Sequence, residues 1–559
     1  MKRRSFLNAG LLAGADVCST HFTTGSRISS MQPQDPERVA AAALSEVGSP
    51  AAKSISGALN VMQVSDLPQV TDDVRIVRTS QHNLNSRLGA ALYRKVDAEP
   101  AHNLKEPARG GGWWEISEPR IDVTMAGAIG DATSGSSGYD NGSVMADVYG
   151  YASLLGGDIY VPRGCYRTSI GAMVTMADEK KTPGLLGAGP GASCFISGAG
   201  DVSLLTIEGC ARTSIQKVGF YKDATTDGGM GLVVSRTPWC EISQVAAEGR
   251  YGSGGFERGV YLNNSLSSKI DLVCRDNVYG LYADYLIDGE KFVSRPNALR
   301  ISGEFGRNKR WGLRIDEAGV VDFKGVIEGN GWGVSDDFRG GMYLANAGTE
   351  SGVGVNIRST YFEANAGRAD VYIAQVINGG TVYNIEDSSF ASLDMVHYVQ
   401  NHIYVENSVY LALNVRGNRF ESLGSYVPDV MRRAILASAP ADMTLNLGGD
   451  KHQFAHAVEY PVAFGAMGLN FGGQIADNGM PVSMPAEWSC VRTAVGTYTI
   501  AMPVHLTASD FAFTASVMDG NVRSVQRLFT SGNLVSIITV NVRQQPADAS
   551  FCWTAIGIR

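Results

Sequence analysis

Acidic residues concentrate between Glu304 and Glu363 of this 559-residue chain. Glu328 and Glu363 each lie two residues before an asparagine, and Asp336 follows on the adjoining stretch. Most glycosidases use two carboxyl groups, about 5–5.5 Å apart for retention of configuration and about 6.5–9.5 Å apart for inversion. Like charges this close raise one pKa, which leaves a protonated acid beside an ionised partner. We therefore predict Glu328, Glu363 and Asp336 as catalytic residues.

Three aromatic residues, each followed directly by glycine, lie in or just before the same region. They are Tyr279, Trp311 and Trp332. Aromatic rings are flat and apolar, so three of them on one face form a platform against which sugar rings can lie. We predict these three as substrate-binding residues. The alternative is that they pack beneath long loops.

A repeat predicts the elements that position these groups. Ile301–Asn308, Phe323–Asn330 and Ile357–Asn365 each contain a strand-like run, an apolar residue and a closing asparagine. Repeats of this kind bury their apolar faces only against their neighbours, which is typical of a solenoid. Comparable segments recur along the chain: Ile215–Phe220, Ile242–Ala247, Ile270–Asn277, Ile385–Phe390 and Val415–Phe420.

Successive coils of a parallel β-helix place equivalent residues about 4.8 Å apart. The repeat therefore predicts that Glu328 and Glu363 stack as a carboxylate pair. It also predicts an asparagine ladder whose amides bond to one another, formed by Asn277, Asn308, Asn330 and Asn365. Glu421 falls in the same column as the two glutamates, so this position alone does not make a glutamate catalytic.

Composition excludes several classes of function. The net charge of −8 and the lack of a basic stripe argue against nucleic acid as a partner. Eight cysteines, scattered singly, fit neither a zinc pattern nor a dense disulfide framework, and we interpret them as buried apolar fillers. The histidines lack metal-ligand spacing and no phosphate-binding loop precedes a helix, so we predict no metal and no cofactor. No run approaches the ~20 apolar residues that span a bilayer, so we predict no membrane insertion.

The segment that precedes the repeats carries a recognisable pattern. Ile121–Asp131 is followed by a helical run at about Val144–Leu155, and then by the glycine turn and strand of Gly156–Tyr166. The pattern resembles the start of the pectate-lyase-like right-handed β-helix superfamily, and above all bacteriophage tailspikes. The resemblance implies a helix that caps the open end of the solenoid. One departure is that Tyr139-Asp140-Asn141 stands where the family often has a DDT-like step.

The two ends of the chain differ in character. Arg3-Arg4, followed by the apolar stretch Asn8–Ala15, resembles a twin-arginine export signal, and the alternative is a basic tail. At the other end, Gly496–Ile500 and Phe551–Gly557 resemble the terminal domains of phage tail fibres and tailspikes. That resemblance implies trimerisation or receptor binding.

The predicted fold is all-β, a right-handed parallel β-helix with a small head module and a C-terminal β-sandwich. We place a tail or export signal with a flexible adaptor at 1–60, the head at 61–118, the β-helix with its capping helix at 119–475 and the β-sandwich at 476–559. The resemblance implies a homotrimeric phage or prophage tailspike on the virion tail, attached to the tail or baseplate through its N-terminal region.

The predicted activity is binding and depolymerisation of a bacterial surface polysaccharide (capsule, O-antigen or exopolysaccharide), by glycosidic hydrolysis with paired carboxylates. One alternative is a receptor-binding tailspike without catalysis. Another is an exported bacterial polysaccharide lyase of the pectate-lyase type, in the periplasm or outside the cell. A lyase needs a base and often a cation that neutralises a uronate, and the candidate cations are Lys309, Arg310, Arg314 and Arg339.

Overall fold

The computed structural model describes residues 58–85, 88–175, 183–250, 252–288, 291–317, 319–336, 338–346, 354–376, 381–392, 399–406, 411–422, 433–437, 444–448, 451–452, 458–459, 468–484, 488–502, 511–517, 522–541 and 545–557. The twin-arginine stretch and most of the predicted adaptor lie outside them. Among the described residues, no helix is both long and apolar enough to cross a membrane.

A small mixed sheet forms the head, with strand order β1-β2-β3-β5-β4. Val77, Tyr93 and Ile116 pair across three of its strands and are all buried. A 3₁₀ turn at Val64–Gln69 adds Leu67 to the same core. The strands are β1 (Leu59–Val61), β2 (Ile76–Thr79), β3 (Leu92–Val96), β4 (Lys105–Pro107) and β5 (Trp113–Ile116).

One helix, α1 (Gly142–Leu155), lies at the start of the solenoid and packs against its first strands. It ends at Gly156, whose left-handed conformation closes the last turn. Asn141, just before the helix, bonds to both the N–H and the C=O of Ile129 and to the C=O of Arg167. In this protein Asn141 therefore ties the leading segment to the first coil.

The strands of the solenoid run from β6 to β38. The first group is β6 (Arg120–Asp122), β7 (Asp158–Val161), β8 (Gly164–Arg167), β9 (Ala172–Thr175), β10 (Leu185–Gly187), β11 (Ser193–Ser197), β12 (Leu205–Glu208), β13 (Ser214–Gln216), β14 (Gly219–Lys222), β15 (Met230–Ser235), β16 (Glu241–Glu248), β17 (Arg258–Asn263), β18 (Lys269–Arg275), β19 (Tyr279–Asp284), β20 (Leu286–Asp288) and β21 (Lys291–Ser294). The second is β22 (Leu299–Gly306), β23 (Trp311–Ile315), β24 (Val321–Glu328), β25 (Gly340–Asn346), β26 (Gly354–Arg358), β27 (Tyr361–Glu363), β28 (Gly367–Val376), β29 (Thr381–Glu386), β30 (Ser389–Ser392), β31 (Val399–Val405), β32 (Leu411–Arg416), β33 (Arg419–Ser422), β34 (Arg433–Ala437), β35 (Thr444–Gly448), β36 (Lys451–His452), β37 (Val458–Glu459) and β38 (Gly468–Ile475).

Strands β20 and β21 form a separate antiparallel hairpin. The other strands pair in parallel, each with its equivalent one coil away, into two long sheets. The residues that open the sequence repeats stack one per coil and are buried: Ile215, Ile242, Ile270, Ile301, Phe323, Ile357, Ile385 and Val415. Phe362, Phe390 and Phe420 form a second inner stack, with ring centroids 4.7 and 4.8 Å apart. The parallel β-helix predicted by the repeat is confirmed.

The predicted asparagine ladder is present at the corner between the two sheets, and its members are buried. Asn308 donates to Asn330 Oδ1 at 2.9 Å, and Asn330 donates to Asn365 Oδ1 at 2.9 Å. Asn365 in turn donates to Asp370, whose carboxylate bonds to His402 in the protein interior.

The glycines that follow the ladder leave room for its amides. A Cβ at Gly280 would lie 2.9 Å from Asn308 Nδ2, and one at Gly312 would lie 2.8 Å from Asn330 Nδ2. Contacts this short are not tolerated. Asn330 therefore explains Gly312, and the backbone of Gly312 together with Asn308 explains Gly280, whereas a Cβ at Gly333 would meet the side chain of Lys309.

A second ladder, which the sequence analysis missed, runs along an outer face. Its amides form a one-way chain in which each Nδ2 donates to the Oδ1 of the preceding coil, and the chain ends on the carboxylate of Asp322. The donor–acceptor distances are 2.6–2.8 Å. Its members are Asn356, Asn384, Asn414 and Asn446.

The C-terminal module is antiparallel and continues the solenoid. Strand β45 pairs with the last coil strand β38 and also with β42, and a second sheet has the order β40-β41-β44-β43. The two sheets meet through Tyr498 and Phe551, whose ring centroids are 5.0 Å apart. The strands are β39 (Pro481–Ser483), β40 (Ser489–Ala494), β41 (Thr497–Ala501), β42 (Phe511–Val517), β43 (Val522–Ser531), β44 (Leu534–Asn541) and β45 (Phe551–Gly557).

Candidate active site

Glu328 and Glu363 are direct neighbours on the outer face of the solenoid. They end β24 and β27, and the strand register pairs them with each other. Neighbouring strands lie about 4.8 Å apart. The buried residues before them, Ile327 and Phe362, point into the core, so alternation along each strand turns both glutamates outward.

The surroundings of Glu328 favour its protonated form. Glu328 is exposed to solvent at the end of β24, yet partial desolvation by neighbouring protein raises the pKa of its carboxyl, and the negative charges of Glu363 and Glu304 raise it further. Arg275 and Arg307 act in the opposite direction. The net result is a raised pKa.

Both of these arginines are held by other carboxylates. Arg275 forms an ion pair with Glu304, and Arg307 binds Asp276 through two hydrogen bonds of 2.9 and 2.6 Å. Among the described residues, no ion pair reaches Glu328. Glu328 thus lies within an acidic cluster, and its nearest arginines are each paired with another carboxylate.

Two partly exposed aromatic residues lie beside Glu363. Tyr361 is 37% exposed, and its hydroxyl bonds to the Glu363 carboxylate. Trp332 is 50% exposed, and its indole Nε1 donates to the C=O of Ala364 at 3.0 Å. The structure thus brings Trp332 next to the carboxylate pair, and Tyr361 is a neighbour that the sequence analysis did not single out.

Glu421 occupies the same column, as predicted, but in a different setting. Ala391 separates it from Glu363 in the register. Its carboxylate pairs with Arg419 on the same strand. The column therefore contains both the free carboxyl of Glu328 and a neutralised one.

Asp336 does not join the pair. Its carboxylate forms an ion pair with Arg310 at 2.8 Å and accepts the N–H of Phe338 at 3.1 Å. These contacts hold together the loop that precedes β25. Proximity in the sequence was misleading here because the loop leaves the sheet that carries Glu328.

The predicted aromatic column is also corrected. Tyr279 and Trp311 do align on neighbouring strands, but the next position in the register is Gly340. Trp332 lies instead in the stretch inserted between Asn330 and β25, which the sequence alignment could not distinguish from a coil turn. The predicted platform of three stacked rings is therefore not formed.

Trp311 and Tyr279 are covered. Trp311 is fully buried, and its ring lies 5.6 Å from Phe338 and 5.8 Å from Tyr372. Tyr279 is also buried. Phe338, in the loop before β25, thus covers Trp311, which is the alternative given for this residue. Tyr279 packs against Tyr282 of its own strand.

These rings flank an outer column of side chains that was not predicted from the sequence. Its members align one per strand: Tyr261, Tyr282, Arg314, Tyr343, Tyr372 and Tyr404. Arg314 lies over Tyr282 and Tyr343, 4.7 and 5.1 Å from the ring centroids. The rings face one another and the arginine, which favours a structural role. The signal in the sequence was a tyrosine near the middle of successive strands.

A second pair of carboxylates lies beside this column. Asp284 and Asp316 follow the paired residues Ala283 and Ile315. Burial raises the pKa of Asp284, and the charge of Asp316 adds to the effect. Asp316, however, binds Arg314 and accepts the hydroxyl of Tyr282 at 2.6 Å. This pair is therefore more fully compensated than Glu328 and Glu363.

The described residues contain no group of three or more metal-ligating side chains that could hold a metal ion.

The chain matches no protein-family model and no curated protein. Among solved structures it is similar to tailspike gp49 of Acinetobacter baumannii bacteriophage Fri1, a capsular polysaccharide depolymerase, with 12% identity and a TM-score of 0.42 over 89% of this chain and 98% of that chain. The gp42 tailspike of Acinetobacter phage vb_AbaP_AS12 is 10% identical, with a TM-score of 0.49 over 89% and 93%. The gp61 tailspike of Pseudomonas phage phi297 is 10% identical, with a TM-score of 0.38 over 79% and 99%.

The pairing of strands between successive coils defines the architecture of this protein. The inner stacks, the buried asparagine ladder and the parallel pairing of the strands in the two long sheets extend over successive coils. The protein is a parallel β-helix that begins at a capping helix and ends in an antiparallel module.

Proposed function

We propose that the protein binds and depolymerises a bacterial surface polysaccharide by glycosidic hydrolysis. The observation that carries the proposal is the carboxylate pair of Glu328 and Glu363, stacked on neighbouring coils beside the exposed ring of Trp332. The spacing of adjacent strands matches the shorter carboxylate separation, which is that of retaining glycosidases.

The two carboxyl groups have different roles in this proposal. Glu328, with its raised pKa, protonates the oxygen of the leaving sugar. Glu363 attacks the anomeric carbon and forms a glycosyl-enzyme, and Tyr361 lies beside its carboxylate. Glu328 then acts as a base and activates the water that releases the product.

Pairing of the candidate cations favours hydrolysis over lyase elimination. Lys309 binds Asp227 at 2.6 Å, Arg310 binds Asp336 and Arg314 binds Asp316. The fourth candidate, Arg339, donates to the C=O of Val334. A cation already neutralised by a carboxylate has little charge left to stabilise the enolate that forms when a uronate loses its proton.

The test is cleavage of purified capsule and O-antigen by the protein and its variants. We expect Glu328→Gln and Glu363→Gln each to lower kcat by about 10²-fold or more. Glu421→Gln, which lies in the same column but is paired with Arg419, should retain activity and serves as the matched control. We expect the anomeric configuration of the first product, read by NMR, to be retained.

Three other outcomes would change the proposal. Full cleavage by both glutamine variants, with loss in Asp284→Asn and Asp316→Asn, would assign catalysis to the second pair. Binding without shortened glycans would identify a receptor-binding protein without catalysis. Products that absorb at the unsaturated-uronate band would identify a lyase.

Asp336→Asn tests the third predicted carboxylate. We expect this variant to retain cleavage because Asp336 forms an ion pair with Arg310.

We further propose that the protein acts as a homotrimeric tailspike on a phage tail, attached through its N-terminal region. The support is the leading motif through Tyr166 together with the C-terminal module that continues the solenoid. Sedimentation of the purified protein tests the trimer. A reporter fused to residues 1–40, with Arg3-Arg4 intact or replaced by lysines, tests the export alternative.

A further inference from the structure

Two of the eight cysteines lie side by side on neighbouring coils, although they are far apart in the sequence. Cys165 in β8 and Cys194 in β11 are paired directly in the parallel register. The next residues, Tyr166 and Phe195, point inward and pack against each other, so both thiols point outward from the same face. Their side chains are hydrogen-bonded to each other.

This geometry is within the range of a disulfide. Paired residues on adjacent strands lie about 4.8 Å apart, and disulfide-bonded cysteines have Cα atoms about 4.4–6.8 Å apart. The Cβ atoms of a disulfide lie about 3.5–4.5 Å apart, so closure needs rotation about χ1 and a small approach of the two strands. We propose that Cys165 and Cys194 form a disulfide that staples the first two coils next to the capping helix.

The surroundings of the two cysteines allow an oxidant in solution to form this bond. Cys165 is partly exposed, whereas Cys194 is buried. The hydrogen bond from Cys194 lowers the pKa of Cys165 and raises the pKa of Cys194. The accessible thiol is therefore the one that becomes a thiolate more easily, and thiolates are the reactive form.

The chemistry requires a small disulfide such as oxidised glutathione. The Cys165 thiolate attacks one glutathione sulfur, and the first glutathione leaves as a thiolate. The Cys194 thiolate then attacks Cys165 Sγ and expels the second glutathione. The protein loses two electrons and two protons, and oxidised glutathione is reduced to two thiols.

The bond would act at the end of the solenoid where unfolding can start. A solenoid repeat contacts only its neighbours, so the terminal repeats depend on capping. A covalent link across one coil restricts the unfolded chain and raises stability. This role is independent of the proposed polysaccharide chemistry.

The test equilibrates the full-length protein with oxidised glutathione, removes the reagent and titrates thiols after denaturation. We expect two fewer thiols than the eight cysteines in the chain. A non-reducing peptide map should contain a linked peptide with Cys165 and Cys194, about 2 Da lighter than the sum of its parts, which reduction separates.

Variants assign the bond. Cys194→Ser should lose the linked peptide, whereas Cys274→Ala, a buried cysteine elsewhere in the solenoid, should keep it. The oxidised protein should unfold at a higher temperature than the reduced protein, and Cys194→Ser should show no such difference. Recovery of all eight thiols, a glutathione adduct that persists on Cys165, or a linked peptide with another cysteine would each overturn the proposal. The peptide map uses the unaltered protein, so it tests for the disulfide even if a variant fails to fold.

Discussion

The pKa of Glu328 is set by residues that come from three other coils. Glu363 follows it, Glu304 precedes it and Arg275 lies one coil further back. The solenoid holds the backbone of these residues in register, so each side chain can be changed within the same pairing of strands. The protonation of Glu328 can therefore be tested by substitution of these neighbours.

The first prediction concerns the pH dependence of cleavage. A general acid must be protonated, so activity falls as pH rises through the raised pKa of Glu328. Glu304→Gln removes a negative charge that raises this pKa and frees Arg275, which lowers it. We expect the alkaline limb of the profile of kcat/KM against pH to move to lower pH. An unmoved limb would show that Glu328 is not the acid.

The second prediction concerns stability. The folded state raises the pKa of Glu328, so folding opposes its ionisation, and this cost is present above the raised pKa and absent below the unfolded value of about 4.3. We expect Glu328→Gln to raise the midpoint of thermal unfolding at pH 8 and to have no effect near pH 3. Glu421→Gln, which breaks an ion pair with Arg419, should not raise it at pH 8.

Sequence reasoning predicted the glutamate pair because equivalent positions of a regular repeat must stack. It could not place Asp336, because the position of a loop carboxylate is determined by local partners such as Arg310 and not by the repeat. It could not identify Asp284 with Asp316 either, because these residues end strands of the other sheet, where no asparagine marks the position.

At the scale of elements, the buried and outer asparagine ladders show how the same amide serves in two environments. Asn330 donates to Phe305 C=O and Asn365 Oδ1 and accepts from the N–H and Nδ2 of Asn308, all away from water. Asn384 makes comparable side-chain bonds on a partly exposed face. Water can replace the hydrogen bonds of Asn384 but not those of Asn330.

The third prediction follows from this difference. Asn330→Ala leaves buried donors and acceptors unpaired, each at a cost of about 1–3 kcal/mol, so we expect a total loss of several kcal/mol, read as a lower denaturation midpoint. Asn384→Ala, the matched control, should lose about 1 kcal/mol or less because water restores its bonds. Equal losses would show that burial does not decide the strength of the ladder.

The elements were predictable where the repeat is regular and unpredictable where it is interrupted. The column from Ile215 to Val415 follows the segments aligned by sequence. The stretch after Asn330 mimics a coil turn with Trp332-Gly333, yet the strand begins only at Gly340. A short insertion that repeats the local motif cannot be recognised without the pairing of the strands.

At the scale of the molecule, the last coil is completed by the C-terminal module. Strand β45 pairs along β38 from Asn470 to Ile475, and so satisfies the edge that the solenoid would otherwise leave open. Open edges of parallel sheets bind other chains. The module therefore has a structural role in addition to any role in assembly.

The fourth prediction is that a chain ending at Ile475 aggregates. The truncation removes β45 and exposes the backbone groups of β38, and we expect most of the protein in the pellet after centrifugation. Thr554→Pro offers a milder test, since it removes one N–H from the middle of β45 within its pairing with β38 and β42. A soluble, monodisperse truncated chain would contradict this role of the module.

The outer asparagine ladder has a consequence for how such a protein changes length over evolutionary time. Asn356, Asn384 and Asn414 each accept one hydrogen bond from the following coil and donate one to the preceding coil. A duplicated or deleted coil therefore leaves every remaining rung satisfied, with Asp322 still terminating the row. Among the coils of Asn384, Asn414 and Asn446, whole coils can thus be gained or lost with little cost in side-chain hydrogen bonds.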